Sequence, residues 1–131
     1  MPGIFSKIIN KEIPSFKVGE NEHCYAFLDI NPLTKGHTLV VPKIEIDQLF
    51  DLPTMSYNEL MQFSRTIAIA IKKAIHCKRV AVVVLGFEVP HAHIHLIPID
   101  HEDQVNFSNS RVKLTSLEMN EIANSIHQQI V

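Results

Sequence analysis

Residues 91–99 read HAHIHLIPI, and the alternation of His91, His93 and His95 with Ala92, Ile94 and Leu96 leaves the backbone little choice. On a helix, positions two apart scatter around the axis. On a strand the histidines share one face and the apolar residues share the other. A strand with one apolar face must lie against a core, so this segment requires a sheet and something to cover it. The opposite face is a row of imidazoles.

The remaining sequence supplies both. Ile4, Phe5, Ile8 and Ile9 fall at helical spacing, and Pro14 stops the pattern at Ile13. PSFKVGE and HCYAFLDI form an extended hairpin turning near GENE, and HTLVVP resumes after the Asn31-Pro32 break until Pro42 ends it. From Ser56 to Lys78, Leu60, Phe63, Ile67, Ile71, Ala74 and Ile75 make one stripe of a long helix, with Ser56 and Glu59 as a capping box. RVAVVVLGF and HAHIHLIPI read as two strands joined by a tight FEVP connection. After the polar stretch HEDQVNFSNSR, a capping box at Thr115 and Glu118 starts a helix over about 115–130, with Leu117, Met119, Ile122, Ala123, Ile126 and Ile130 as its apolar stripe. The fold class is therefore α+β, an antiparallel sheet of about five strands carrying one long central helix and a C-terminal helix. With 131 residues, 46% of them hydrophobic, residues 1–131 are expected to be one domain.

Composition narrows the function. A net charge of −2 without any long run of Lys or Arg offers no footprint for tracking a nucleic-acid backbone, while free nucleotides remain open. The longest apolar run, VAVVVLGF, is far short of the ~20 residues of a spanning helix, and MPGIFSKIIN lacks the features of a secretory signal. A soluble, cytoplasmic protein with no membrane partner is the expectation. Cys24 and Cys77 stand outside any CxxC pair and are read as reduced packing residues.

Three alternating histidines admit three readings. A row of surface histidines crowds partial charge for no structural gain. Zinc is a second, because neutral imidazole is a common ligand. Along a strand, however, His91 and His95 lie ~13 Å apart, too far to meet one tetrahedral centre, so another ligand such as His37 would be required. The third is nucleophilic catalysis at phosphorus, where one imidazole attacks while its neighbours hold the phosphoryl oxygens and assist the leaving group.

HAHIHLI fits the motif His-x-His-x-His-x-x, with x apolar, and so resembles the histidine triad (HIT) family of nucleotide-binding proteins. IFSKIINKEIPS and YAFLDINPLTKGHTLVVPK resemble the Hint-like branch in order and spacing, so the likeness covers roughly residues 3–99. The resemblance implies the HIT fold, and a phosphoramidase or nucleotidyl hydrolase acting on a purine nucleoside monophosphate joined to an amine, acyl or nucleotide leaving group. It makes His93 the nucleophile that forms a covalent nucleotidyl-histidine. His95 contacts the phosphate and leaving group, His91 orients the nucleophile, and His37 is the upstream fourth histidine. The implied purine slot is Phe5, Ile8, Ile13, Phe27 and Ile30, with Asp29 accepting from the ribose hydroxyls. A homodimer is the implied assembly, with the long helix as the partner surface; no metal or other cofactor is implied. His23, His76, His101 and His127 match nothing in the motif and are read as surface residues.

The chain departs from the family before the triad. VVVLGFEVPHAH is shorter than the usual glycine-rich loop and has Phe87 in place of a Gln, so leaving-group contacts pass to backbone N–H groups near Glu88 and Val89, to Glu88 itself, or to solvent. Some relatives bind a structural zinc through N-terminal cysteines, and IFSKII has none. Two alternatives stay open: a nucleotide-binding protein with little turnover, and a zinc-dependent hydrolase.

Overall fold

Alternation along the strands divides the interior in two. A computed structural model describes residues 2–131. In chain order the elements are α1 (Ile4–Ile9), β1 (Lys17–Glu20), β2 (Cys24–Leu28), β3 (Thr38–Pro42), α2 (Thr54–Ala74), β4 (Arg79–Val83), β5 (Ile94–Ile99) and α3 (Ser116–Gln128). Short 3-10 turns over Leu49–Asp51 and Glu102–Val105 interrupt the loops. The five strands form one sheet in the order β1-β2-β3-β5-β4, antiparallel throughout.

Cys24, Ala26 and Leu28 of β2, Val40 of β3, and Ile94 and Leu96 of β5 pack on one side with Leu60, Phe63, Ile67 and Ile71 of α2 and Met119, Ile122 and Ile126 of α3. Each large side chain so buried contributes roughly 1.5–3 kcal/mol, which makes this layer the main core. Tyr25, Phe27, Leu39 and Val41 turn the other way and meet Phe5 and Ile8 of α1 in a second, smaller cluster. The histidines share that second side, since Leu39 pairs with His95 across β3 and β5. Among the described residues no helix is long and apolar enough to cross a membrane.

Several elements differ from the sequence reading for local reasons. α1 ends at Ile9 rather than Ile13, because Lys11 adopts a left-handed conformation (φ 64°) and the amides of Glu12 and Ile13 both return to the Lys7 carbonyl. α2 begins at Thr54 behind Pro53, so Ser56 falls inside the first turn and no Ser56–Glu59 capping box forms. It ends at Ala74 rather than Lys78: Ile75 turns extended and packs against the core, and the Lys72 ammonium reaches past the helix end to donate to the carbonyls of Cys77 and Lys78. The Thr115–Glu118 capping box of α3 does form, at 3.1 and 2.9 Å. Leu117, 68% exposed, lies off the buried stripe of α3.

The largest departure lies before the triad. β4 stops at Val83 and β5 starts at Ile94, so ten residues, 84–93, connect them in place of a tight turn. Pro90 has no N–H to give a ladder, and Gly86 takes φ +77°, so pairing cannot continue through this segment. His91 and His93 therefore precede the ladder, yet keep its alternation: Ala92 joins the main core while the histidines face the smaller cluster.

Candidate active site

The segment carrying the triad is held by the chain that leaves β3. The Ala92 amide donates to the Ile46 carbonyl at 2.7 Å, and His91 Nε2 lies 2.8 Å from the Pro42 carbonyl. A carbonyl only accepts, so the His91 proton is on Nε2, and its buried Nδ1 has no partner. His93 Nδ1 lies 2.7 Å from the His91 carbonyl. By the same argument Nδ1 carries the proton, and the Nε2 lone pair of His93 is left free.

His95 is set the opposite way. The Leu33 amide donates to His37 Nδ1 at 3.0 Å, which leaves the proton of neutral His37 on Nε2. That proton is donated to His95 Nδ1 at 3.0 Å, so His95 keeps its own on Nε2. His93 and His95, with ring centroids 5.1 Å apart, thus present a bare nitrogen and an N–H side by side. Gly36 delivers His37 into this interior: its φ is +96°, and an added Cβ would come within 3.1 Å of Ile75 and 3.3 Å of Pro98.

Burial keeps the supporting rings neutral. His37 is driven down to about 3 by loss of solvent, with the neighbouring His95 and Arg111 adding to the effect. His95 falls to about 4 for the same first cause, helped by His93 and Arg111. His91 is also lowered, again mainly by burial.

The sequence-predicted slot residues divide. Phe5, Ile8 and Phe27 are buried in the smaller cluster and Ile13 packs against it, as does Val89, which the sequence reading put at the leaving group instead. Phe5 stands edge-on to Phe27, His91 and His93 at 5.5, 5.6 and 5.1 Å between centroids, which puts the slot wall against the free histidine. Ile30 is not brought in: it is 72% exposed, because the turn after β2 directs it outward. Asp29 stands at the turn after β2. Its Oδ1 accepts from the Asn31 amide at 2.8 Å, forming the turn, while Oδ2 lies 3.6 Å from His37 Nε2. Burial raises its carboxyl above the usual range. Glu88 is exposed, and its charge acts on Asp29.

Three contributors were invisible to pattern reading. Glu45 Oε1 accepts from the Gly3 amide at 2.7 Å and the Ser6 hydroxyl at 2.6 Å, clasping the start of α1. Phe107 stands edge-on to His95 at 5.0 Å and His37 at 6.2 Å. Arg111 donates to the Asn31 and Phe107 carbonyls at 2.8 and 3.0 Å and lies over the Phe107 ring, tying the 106–112 strap across the His37–His95 pair. A lone aromatic and a lone arginine in a polar stretch were the available signals; for Glu45 there was none. Of the histidines outside the motif, His127 bonds the Val18 carbonyl at 2.8 Å and joins α3 to β1.

Asp29, His37 and His95 bring one ligand atom each within 4.8 Å of one another. The set suits a metal poorly. To ligate through Nε2, neutral His37 would move its proton to Nδ1, against the Leu33 amide that already donates there.

A cavity of about 480 Å³ opens beside His93, lined by residues 47–50 and 84–87 with Ala92. None of these lining residues belongs to the Phe5–Phe27 cluster. His93 thus stands between an apolar slot and an open cavity.

Comparison with known proteins gives this geometry a context. The family model described as HIT domain matches residues 10–102. The chain is 41% identical over 96 residues to the adenosine 5′-monophosphoramidase HNT1 of Saccharomyces cerevisiae, covering 72% of this chain and 61% of that protein. It is 33% identical over 105 residues to the adenylylsulfatase HINT3 of Arabidopsis thaliana, covering 76% of this chain and 53% of that one. Among solved structures, a Hit-like protein from Bartonella henselae with an unknown ligand superposes with a TM-score of 0.84 at 31% identity, covering 97% and 95% of the two chains.

Proposed function

The chain belongs to the histidine triad (HIT) family, and we propose that within it this protein is a purine nucleoside phosphoramidase or nucleotidyl hydrolase working through a covalent nucleotidyl-His93. The observation that carries the reading is the opposite polarity of the two neighbouring rings. His93 offers a lone pair at Nε2 because its Nδ1–H is held by the His91 carbonyl, and His95 offers an N–H because its Nδ1 is filled by His37. An attacking atom beside a donor for a phosphoryl oxygen is what in-line displacement at phosphorus needs.

The reaction then runs in two steps. His93 Nε2 forms a bond to the α-phosphorus as the bond to the leaving group breaks, and the departing atom takes the electron pair and a proton from solvent. Water next attacks phosphorus, the P–Nε2 bond breaks with its pair returning to His93, and the water's proton goes to solvent. His95 donates its Nε2–H to a non-bridging oxygen in both steps. The base lies against Phe5, Ile8, Ile13, Phe27 and Val89, with Asp29 Oδ2 facing the ribose hydroxyls. No metal takes part. The names of the yeast and plant relatives, a monophosphoramidase and an adenylylsulfatase, support an adenylyl substrate class and leave the leaving group open. We further propose a cytoplasmic homodimer, for which the exposed Val82 on edge strand β4 and Met61 and Ile69 on α2 offer the apolar surface.

Acid-quenched mass spectrometry of wild type during turnover of an adenosine phosphoramidate tests the mechanism. The expected result is a nucleotidyl adduct on the peptide holding His93, absent in His93→Ala, which loses turnover while binding nucleotide within roughly tenfold of wild type. Sustained turnover by His93→Ala would overturn it.

A further inference from the structure

The family match ends at residue 102, and the chain then lays a strap back over the site. Asn106 closes its turn: the side chain accepts from the Ser108 amide and the carbonyl from the Asn109 amide, both at 2.9 Å. From that turn Phe107 reaches the edges of His95 and His37, 5.0 and 6.2 Å away between ring centroids. Arg111 lies over the Phe107 ring and donates to the Phe107 and Asn31 carbonyls, and the Val112 amide donates to the Pro32 carbonyl at 2.9 Å. The next residue, Leu33, carries the amide that fixes the His37 tautomer. One run of bonds thus leads from the strap through residues 31–33 to His37 and on to His95.

The pair beneath the strap works only while both rings are neutral. A protonated His95 has an N–H on each nitrogen, and its Nδ1–H would face the Nε2–H of His37 across 3.0 Å. His37 could yield only by moving its proton to Nδ1, where the Leu33 amide already donates. Water at the pair favours that charged, mismatched state, because solvation is what burial denies a charge. Phe107 covers the pair with a ring that has no polar atom to offer it. We propose, resting on the hydrolase reading above, that Phe107 and Arg111 are positioning residues whose strap seals the His37–His95 pair and so leaves the His95 Nε2–H available to a phosphoryl oxygen. The charged and titratable groups acting on the pair are Asp29, 3.6 Å from His37 Nε2, His93 beside His95, and Arg111. Arg111 adds to the effect of burial on both rings, so one side chain is both pin and charge.

The test compares wild type with Phe107→Ala, Phe107→Leu and Arg111→Ala. The His95 ring is titrated by NMR, and turnover of an adenosine phosphoramidate is measured at pH 8.0 and pH 5.5 on protein shown by circular dichroism to be folded at both. In wild type His95 titrates at about 4. In each alanine variant it should rise above about 5, towards the ~6.5 of a solvated ring. Both alanine variants should be slower than wild type, with a kcat deficit that deepens at least threefold between pH 8.0 and pH 5.5, because only their pairs take up protons in that range. Phe107→Leu, which keeps an apolar cover, should hold His95 near its wild-type value and show no deepening. A deficit that is the same at both pH values, or a His95 that stays near 4 in both alanine variants, would overturn the proposal and make the strap a packing element. Failure of the hydrolase reading looks different: wild type turns nothing over. The titration then judges the seal alone, a rise in the alanine variants supporting it and an unmoved His95 refuting it.

Discussion

Burying His37 and His95 as neutral rings makes the fold sensitive to acid in a calculable window. Both titrate near 6.5 when unfolded, while in the fold they are held down to about 3 and about 4. Between those limits the unfolded chain binds protons that the folded chain refuses, so stability falls as pH falls. It is fully present above 6.5, declines through the window and levels off only towards the folded values. Going from pH 7.5 to 5.0, each ring gives up about 2 kcal/mol, or about 4 kcal/mol together, at about 1.4 kcal/mol per pH unit for each fully titrating site. That is a large share of the roughly 5–15 kcal/mol of a typical domain. Equilibrium urea unfolding should therefore show its midpoint dropping by about 2 M between those pH values, taking a slope of about 2 kcal/mol per M. Glu20, lowered to about 2 by hydrogen bonds from Lys17 and Lys43, acts only below about 4.5 and stays outside the window. The double variant His37→Gln, His95→Gln has no such protons to refuse, so whatever its absolute stability, its own loss over the same range should be smaller by most of that 4 kcal/mol. A wild-type loss under 1 kcal/mol, or an equal loss in both proteins, would refute the reasoning.

Asp29→Asn should weaken an adenosine substrate by about 1–3 kcal/mol and barely affect its 2′,3′-dideoxy counterpart, as seen in kcat/KM; equal losses would make Asp29 a turn residue only. Glu45→Ala should release the start of α1 and raise KM several-fold with kcat nearly constant, and Glu45→Gln should restore it, since an amide oxygen can accept the same two bonds. Unchanged steady-state constants in Glu45→Ala would count against the clasp. Gly36→Ala forces a side chain to φ +96° against Ile75 and Pro98 and should cost about 1–3 kcal/mol in thermal or urea unfolding; an unchanged midpoint would mean the turn relaxes freely. Activity should survive excess chelator, whereas loss reversed only by added zinc would establish a metal enzyme.

The alternation of apolar residues made the two-sided sheet legible, because a period of two has only one backbone solution, and the α3 cap was legible because its four residues act locally. The Ser56–Glu59 pair had the same spelling as the α3 cap and failed, since Pro53 starts α2 two residues earlier. His37 came from the family likeness, and its partnership with His95 spans 58 residues, which no local pattern encodes. Sequence distance also hid Glu45, bonded to Gly3 42 residues away, and Arg111, bonded to Asn31 80 residues away. The exposure of Ile30 was not legible, because motif position says which residue follows a strand but not which way the ensuing turn points it. The loop before the triad was taken for a tight connection because the apolar run to Leu85 reads as strand, whereas Gly86 and Pro90 end the pairing.

Two of the triad rings are aimed by main-chain carbonyls, those of Pro42 and His91, and the third, His95, by His37, whose own ring the Leu33 amide holds. A peptide group is supplied by nearly any residue, so the machinery's alignment is indifferent to most spelling at its own supports. A saturation library scored for turnover should thus be flat at positions 33 and 42 apart from packing and proline effects, and steep at 37, 93 and 95. The neighbouring loops, free of the duty of aiming the rings, can drift in sequence and re-shape what departs from phosphorus without disturbing the atom that attacks it.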